Sequence, residues 1–341
     1  MKLSDRKRKI LQLVVDDYIS TAQPVSSKSI TEKYLTDISS ATVRAELAGL
    51  EELGFLTQLH TSSGRVPSID AYKLYVTELM DRGELSLKEV STIKDAFKNR
   101  ADNLETVVQN AVKVISDLTD YTSVGYTAHS PEETIVKIDI FRYKQNQALL
   151  LIVTENTLIR DKFISIPAKM TDAQIAEASE LISKLFVGKA FKDIIGLGDV
   201  ISEEFSGYKE IFESVMGVIE DYIVNNSGDV VMEGENKILQ HPEYSDAEKV
   251  KNFLSVVTNK NRLAGLLKED TNDIEINIKI GGGSDENMPT DCSLVTATYS
   301  SSGVKIGTYG VIGPRRMDYQ KVVSVLEGVG KILEDILNNR K

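Results

Sequence analysis

Apolar residues near the start of the chain recur at helical spacing. Ile10, Leu13, Val14, Tyr18 and Ile19 fall on one stripe of a helix that Ser4 or Asp5 can cap. Pro24 ends the segment that follows. Ser26 or Ser27 then caps a short helix with Ile30 and Tyr34 on its inner face. Ser39 and Ser40 cap a third helix with Val43, Leu47 and Leu50 inward, and Gly54 stands where a left-handed residue stops a helix. Leu56–Thr61 predicts a strand, Ser62-Ser63-Gly64 a turn, and Arg65-Val66-Pro67 the return. Three helices followed by a hairpin is the order of a winged helix-turn-helix.

Beyond Tyr75 the helical period continues from Ser86 to Leu118, with a break near Asn99–Asn103. This stretch is either a plain connector or a lever relaying movement of the body to the head. Residues 134–166 predict a three-stranded meander. Val136, Ile138 and Ile140 alternate on one face, Lys144-Gln145-Asn146-Gln147 turns, and a second tight turn falls at Glu155-Asn156 before a strand from Leu158 to Ile166. Thr171 and Gln174 have the spacing of a capping box, opening a helix with Ile175, Ala178, Leu181, Ile182 and Leu185 inward. A second helix is expected over Ser206–Val224. A second set follows: a short strand at Val230–Met232, helices over Asp246–Val257 and Lys260–Lys268, and a strand at Ile274–Ile280 with clean alternation. Strands at Leu294–Tyr299 and Val304–Val311 are joined by a Ser300–Gly303 turn, and a long amphipathic helix is capped by Asp318. The chain is therefore α+β and multidomain.

Composition narrows the function. The 341 residues suit two or three domains, and 41% hydrophobic residues argue against general disorder. A single cysteine, Cys292, excludes an internal disulfide and a Cys-rich zinc site. No apolar run reaches the roughly 18 residues of a membrane span, and no signal-peptide pattern follows the charged start. A cytoplasmic setting without membrane contact is the expectation. The net charge of −11 argues against a basic nucleic-acid sleeve, but it is unevenly spread. Residues 1–75 carry ten Lys/Arg against nine Asp/Glu, a net of +1, and the remainder carries −12.

That asymmetry gives the head its candidate chemistry. An α-helix fits the major groove of B-DNA, and short polar residues in its first turn reach bases and phosphates. Ser39, Ser40, Thr42 and Arg44 lie on the outward face of the third helix, with Ala45 beside them. A hairpin carrying Thr61, Ser63 and Arg65 adds phosphate or minor-groove contacts, with His60 as a further donor. With Lys28, these residues form the expected DNA-binding set. Other chemistry finds little support. His60, His129 and His241 lack metal-ligand spacing, so neither a metal site nor another cofactor is expected. Gly281-Gly282-Gly283-Ser284 is followed by Asp285-Glu286, which repels phosphate, so it reads as a flexible hairpin loop. Arg315-Arg316 is expected to pair with acidic residues, and Cys292 to be a small buried hydrophobe. No acid/base or nucleophile set converges on an enzyme.

Four segments carry a family resemblance: Pro24-Val25-Ser26-Ser27-Lys28, Ser39-Ser40-Ala41-Thr42-Val43-Arg44, Leu50–Leu56 and His60–Pro67. With Asp291–Tyr299, Gly307–Gly313 and Arg316–Tyr319, they resemble the HrcA family of heat-inducible transcription repressors. Ala45, Leu59 and Ala71 stand where that family has Asn, Pro and Gly. The resemblance implies a winged helix-turn-helix at 1–76 and a helical linker at 77–102. It implies a GAF-like αβ domain at 103–130 and 226–341, interrupted by an inserted αβ dimerisation domain at 131–225. It also implies a homodimer on an inverted-repeat operator, CIRCE, upstream of chaperone genes, inactivated by heat and restored by the GroE chaperonin. The alternative is a metabolite-responsive repressor with the GAF-like domain as sensor.

Overall fold

The computed structural model describes residues 3–58, 64–98, 104–127, 132–155, 159–195, 207–224, 228–268, 276–281, 288–301 and 304–338. Serine caps open the first helices. Ser4 Oγ accepts from the Lys7 N–H at α1 (Asp5–Thr21), Ser26 Oγ from Ser29 at α2 (Ser27–Lys33), and Ser39 Oγ from Thr42 at α3 (Ser40–Glu52). Their inner faces make one core, in which Ile10, Val14, Ile30, Val43, Leu47 and Leu50 are fully buried. Burying each such side chain contributes about 1.5–3 kcal/mol. Gly54, at φ +81°, turns the chain out of α3 into β1 (Leu56–Gln58), which pairs antiparallel with β2 (Arg65–Pro67). Val25 adds a further rung, exchanging backbone hydrogen bonds with Arg65 at 2.8 and 2.9 Å. Then α4 (Ile69–Leu74) runs into a π-turn, Tyr75–Leu79. Tyr34, expected inside, is 43% exposed. It ends α2 in a non-helical conformation, so only its hydroxyl turns in, donating to Asp17 at 3.0 Å.

The next helices are α5 (Leu87–Ala96) and α6 (Leu104–Thr119), followed by β3 (Thr122–Thr127). The expected break near Asn99–Asn103 lies outside the described residues. The chain divides into two compact units, one of residues 1–96, 111–125 and 231–341, the other of residues 97–110 and 126–230.

In the second unit, β4 (Ile135–Lys144), β5 (Gln147–Thr154) and β6 (Ile159–Ser165) form the expected antiparallel meander in that order. The predicted Glu155-Asn156 turn and Leu158 fall partly or wholly outside the described residues. Next come α7 (Asp172–Phe186), opened by the Thr171/Gln174 capping box, the short α8 (Phe191–Ile195), and α9 (Lys209–Val224). The inner face of the sheet (Ile138, Ile140, Leu150, Ile152, Ile164) shares a core with Ile175, Ile182, Ile211, Val215 and Ile219 of the helices. Val136 does not join Ile138 and Ile140; it is 54% exposed, and Ile135 is buried in its place. A register shift between Ile135 and Lys137 breaks the alternation there. On the outer face, Phe141, Leu149 and Phe163 stand opposite one another across the three strands. Tyr143 packs on Phe163 with ring centroids 4.6 Å apart, and Phe141, Tyr143 and Phe163 are each more than half exposed.

The chain continues with β7 (Asp229–Glu233), two 3₁₀ turns (Glu235–Gln240 and Pro242–Tyr244), α10 (Ala247–Val257) and α11 (Lys260–Lys268). It ends with β8 (Ile276–Ile280), β9 (Cys292–Ser301), β10 (Val304–Pro314) and α12 (Tyr319–Asn338). The sheet order is β7-β3-β10-β9-β8. β9 and β10 form a long hairpin from Cys292 opposite Pro314 to Ser301 opposite Val304, and the middle of its predicted turn lies outside the described residues. α12 packs on β9 and buries Tyr319, Val322, Leu326 and Val329, and Asp318 accepts from the Lys321 N–H at 2.9 Å as its cap. β8, with the cleanest sequence alternation, buries only Ile280 fully, because it is an edge strand.

Candidate nucleic-acid interface

A buried carboxylate fixes the first two helices. The Asp17 side chain, 5% exposed, accepts from Lys33 Nζ at 2.8 Å, the Tyr34 hydroxyl at 3.0 Å and Ser29 Oγ at 3.4 Å. Its hydrogen bond and charge hold the Lys33 ammonium above the usual lysine range. The hydroxyls of Ser27 and Ser40 lie 3.1 Å apart and join α2 to α3. Lys7 reaches Glu46 at 2.6 Å and ties α1 to α3. Held from both sides, α3 turns one stripe to solvent. Ala41, Arg44 and Ala45 are exposed, with Ala48 half-buried one turn on, and Ser39 is exposed at the helix start.

The expected site residues separate accordingly. Ser39, Arg44 and Lys28 are exposed, and Lys28 Nζ lies 3.7 Å from Glu32. Ser40 is turned onto Ser27, so it positions α3 more than it faces outward. Thr42 is half-buried, its hydroxyl 2.8 Å from Ser39 Oγ. Arg65 has a partner within the head: its Nε donates to Glu51 of α3 at 2.8 Å, and its side chain is 15% exposed. His60, Thr61 and Ser63 lie outside the described residues, as does the centre of the predicted turn. Ala41 was missed, although its position three residues before Arg44 places it on the same helical face. The strand-like role of Val25 was missed too, since one residue before a serine cap gives no alternating pattern.

Gly64 explains how the hairpin seats. A Cβ there would come within 2.6 Å of the Pro24 carbonyl oxygen, so only glycine lets β2 approach the turn before α2. The early cations are also engaged within the chain: Arg6 lies 3.9 Å from Glu46, and Arg8 2.6 Å from Glu78 just beyond the head. The positive charge on the outward face of α3 comes from Arg44, beside the positive end of the helix dipole.

Elsewhere, Cys292 is buried and 3.0 Å from the Tyr244 hydroxyl, and burial pushes its thiol up to about 11. It is protonated at neutral pH and unsuited to nucleophilic chemistry. Arg315 pairs with Asp291 at 3.4 Å and Arg316 with Glu243 at 2.5 Å, as expected. His129 and Gly282–Ser284 lie outside the described residues. Among the described residues no group of His, Cys, Asp or Glu could hold a metal ion, and no helix is long and apolar enough to cross a membrane.

A three-helix head presenting one helix to solvent, carried on a mixed α+β body, defines a DNA-binding transcription regulator. The HrcA protein C-terminal domain matches residues 105–323. The chain is 36% identical to the heat-inducible transcription repressor HrcA of Ruminiclostridium cellulolyticum over 99% of this chain and 98% of that protein. It is also 36% identical to that of Clostridium tetani over 99% and 97%. The chain belongs to the HrcA family, the heat-inducible transcription repressors. A hypothetical protein of known crystal structure shares the fold over 100% of both chains, with a TM-score of 0.66 at 20% identity.

Proposed function

We propose that this chain represses chaperone genes by binding, as a homodimer in the cytoplasm, to the CIRCE inverted repeat. Residues 1–76 act as a winged helix-turn-helix with α3 in the major groove and β1–β2 as the wing. Residues 77–102 link it to a GAF-like domain (103–130 and 226–341) interrupted by a dimerisation domain (131–225). The observation carrying this is the stripe Ala41-Arg44-Ala45, exposed on a capped helix whose other faces are packed. Small side chains let the helix approach base edges, and Arg44 supplies a bidentate donor for guanine or phosphate. Ser39 and Lys28 contact the backbone, and His60, Thr61 and Ser63 at the hairpin tip extend the contact. Arg65 holds the wing to α3.

The dimer is supported by the outer face of the β4-β5-β6 sheet, where Phe141, Tyr143 and Phe163 are exposed together. Apolar surface of this kind, left to water, favours a self-complementary contact. Heat acts by shifting a marginally stable active form, for which a few kcal/mol suffice, and the GroE chaperonin restores it. The test is operator binding by gel shift after a heat pulse, with and without GroE and ATP. Binding is expected to fall on heating and return with the chaperonin. Binding that survives the pulse unchanged rejects thermal inactivation.

A second reading has one observation in its favour. A cleft of about 250 Å³ is lined by Tyr244, Lys249, Asn252, Arg262 and Thr290 and suits a small polar metabolite. A compound that raises the melting temperature and changes operator affinity would favour it.

A further inference from the structure

Arg316 stands between β10 and α12, and its guanidinium faces two ways. Toward the 3₁₀ turn Pro242–Tyr244, Nε donates to Glu243 Oε1 at 2.5 Å, with Nη2 3.4 Å from Oε2. Toward the head, Nη1 donates to the backbone carbonyl of Ile19. Ile19 lies in the last turn of α1, where carbonyls have no partner within the helix and the dipole is negative. α1 has no basic residue in its own last turn. The cation that completes this helix end comes from the far end of the chain, 297 residues away. The side chain is 14% exposed, so the bond is largely shielded from water and salt. Beside it Tyr72 of α4 packs on Tyr319 of α12, with ring centroids 6.0 Å apart. The joint leaves Ala41 and Arg44 exposed.

We propose that Arg316 is a positioning residue for DNA binding, clamping the end of α1 to Glu243 so that the head has one fixed orientation on the C-terminal sheet. This rests on the dimeric, inverted-repeat function proposed above. Two heads engage two half-sites together only if their separation and rotation match the duplex, and a fixed joint removes the entropy of finding that arrangement. A loose joint leaves each head folded and able to bind one half-site, but weakens simultaneous engagement and relaxes the demand on half-site phasing.

The experiment uses the full chain, with Arg316→Ala, Arg316→Lys and Glu243→Gln variants. Three duplexes are compared: an inverted repeat, the same repeat with five base pairs inserted between half-sites (about half a helical turn), and a single half-site. The native protein is expected to favour the in-phase repeat by roughly a hundredfold. Arg316→Ala should reduce that ratio to within about tenfold, with dimer mass and half-site affinity unchanged. Arg316→Lys keeps the charge but loses the fork, and should fall between. Native ratios in all three variants overturn the proposal. A second readout needs no DNA. Spin labels at Thr36→Cys and Lys251→Cys, both exposed positions, report the distance between the head and α10 of the C-terminal part, while buried Cys292 stays unlabelled. The distribution should be narrow in the native background and broad with Arg316→Ala. An unchanged narrow distribution overturns the clamp whatever the DNA results. A native protein that shows the narrow distribution but no preference for the repeat rejects the operator assignment and leaves the clamp standing.

Discussion

Arg65 Nε donates to Glu51 over 2.8 Å, so the cation of the hairpin is bonded to the helix it flanks. Arg44, on that same helix, is exposed. The two arginines therefore have different work, and their alanine variants should separate. Arg44→Ala is expected to weaken operator binding by about 1–3 kcal/mol, with an unchanged melting temperature. Arg65→Ala should lower stability by about 1 kcal/mol as well as weaken binding, because Glu51 loses its partner and the hairpin its anchor. Glu51→Gln should reproduce much of the Arg65 effect. Gel shifts and thermal melts on the same preparations check this. Equal melting temperatures for both alanine variants would contradict the division.

Among the described residues the buried Tyr72 hydroxyl has no hydrogen-bond partner. Burial also pushes its pKa far above the ordinary phenol range, so it stays neutral. Removing an unsatisfied buried hydroxyl relieves its desolvation penalty. Tyr72→Phe should be neutral or stabilise by up to about 1 kcal/mol in urea unfolding. A clear loss of stability would mean that the hydroxyl has a partner in solution.

Ala22 ends α1 at φ 57°, in the left-handed region that favours glycine. Ala22→Gly relieves the Cβ crowding but gives the unfolded chain more freedom. The net expectation is a gain of about 0.5 kcal/mol. Denaturant midpoints read it directly, and a loss above about 1 kcal/mol would show that the turn is not strained.

Glu89 accepts from Lys321 and from the side chain and backbone N–H of Ser86, which together hold its carboxyl at about 2 against an ordinary 4.5. A depressed folded-state pKa gives stability that is fully present above 4.5 and is lost as pH falls toward 2. Glu89→Gln should therefore be less stable than the native chain at pH 6, and the gap should close as the solution is acidified through that window. Urea unfolding at pH 6, 4 and 3 tests the sign, and a gap that widens on acidification contradicts it.

Local signals were legible in the sequence, and long-range ones were not. Ser39, Thr171 with Gln174, and Asp318 cap helices where their spacing placed them, and Ser4 and Ser26 are each one of the two caps expected at their helices, because capping involves residues only two or three apart. Val43, Leu47 and Leu50 were core from their period alone. Failures arose where a contact spans the chain or breaks a period. Ser40 looked outward until Ser27 was placed against it. Arg65 looked free until Glu51 came within reach, and nothing near Ile19 announced Arg316. At Val136 a register shift reversed the alternation that had put it inside. Periodicity reports which face is apolar; it does not say which distant group will meet a given polar atom.

The most direct test of the repressor function is the affinity of the purified full chain for a CIRCE inverted-repeat duplex against a scrambled duplex of equal length and composition, at physiological salt. A preference of at least about a thousandfold for the repeat, bound as one dimer per duplex, is the expected result. Equal affinity for the two duplexes would contradict it.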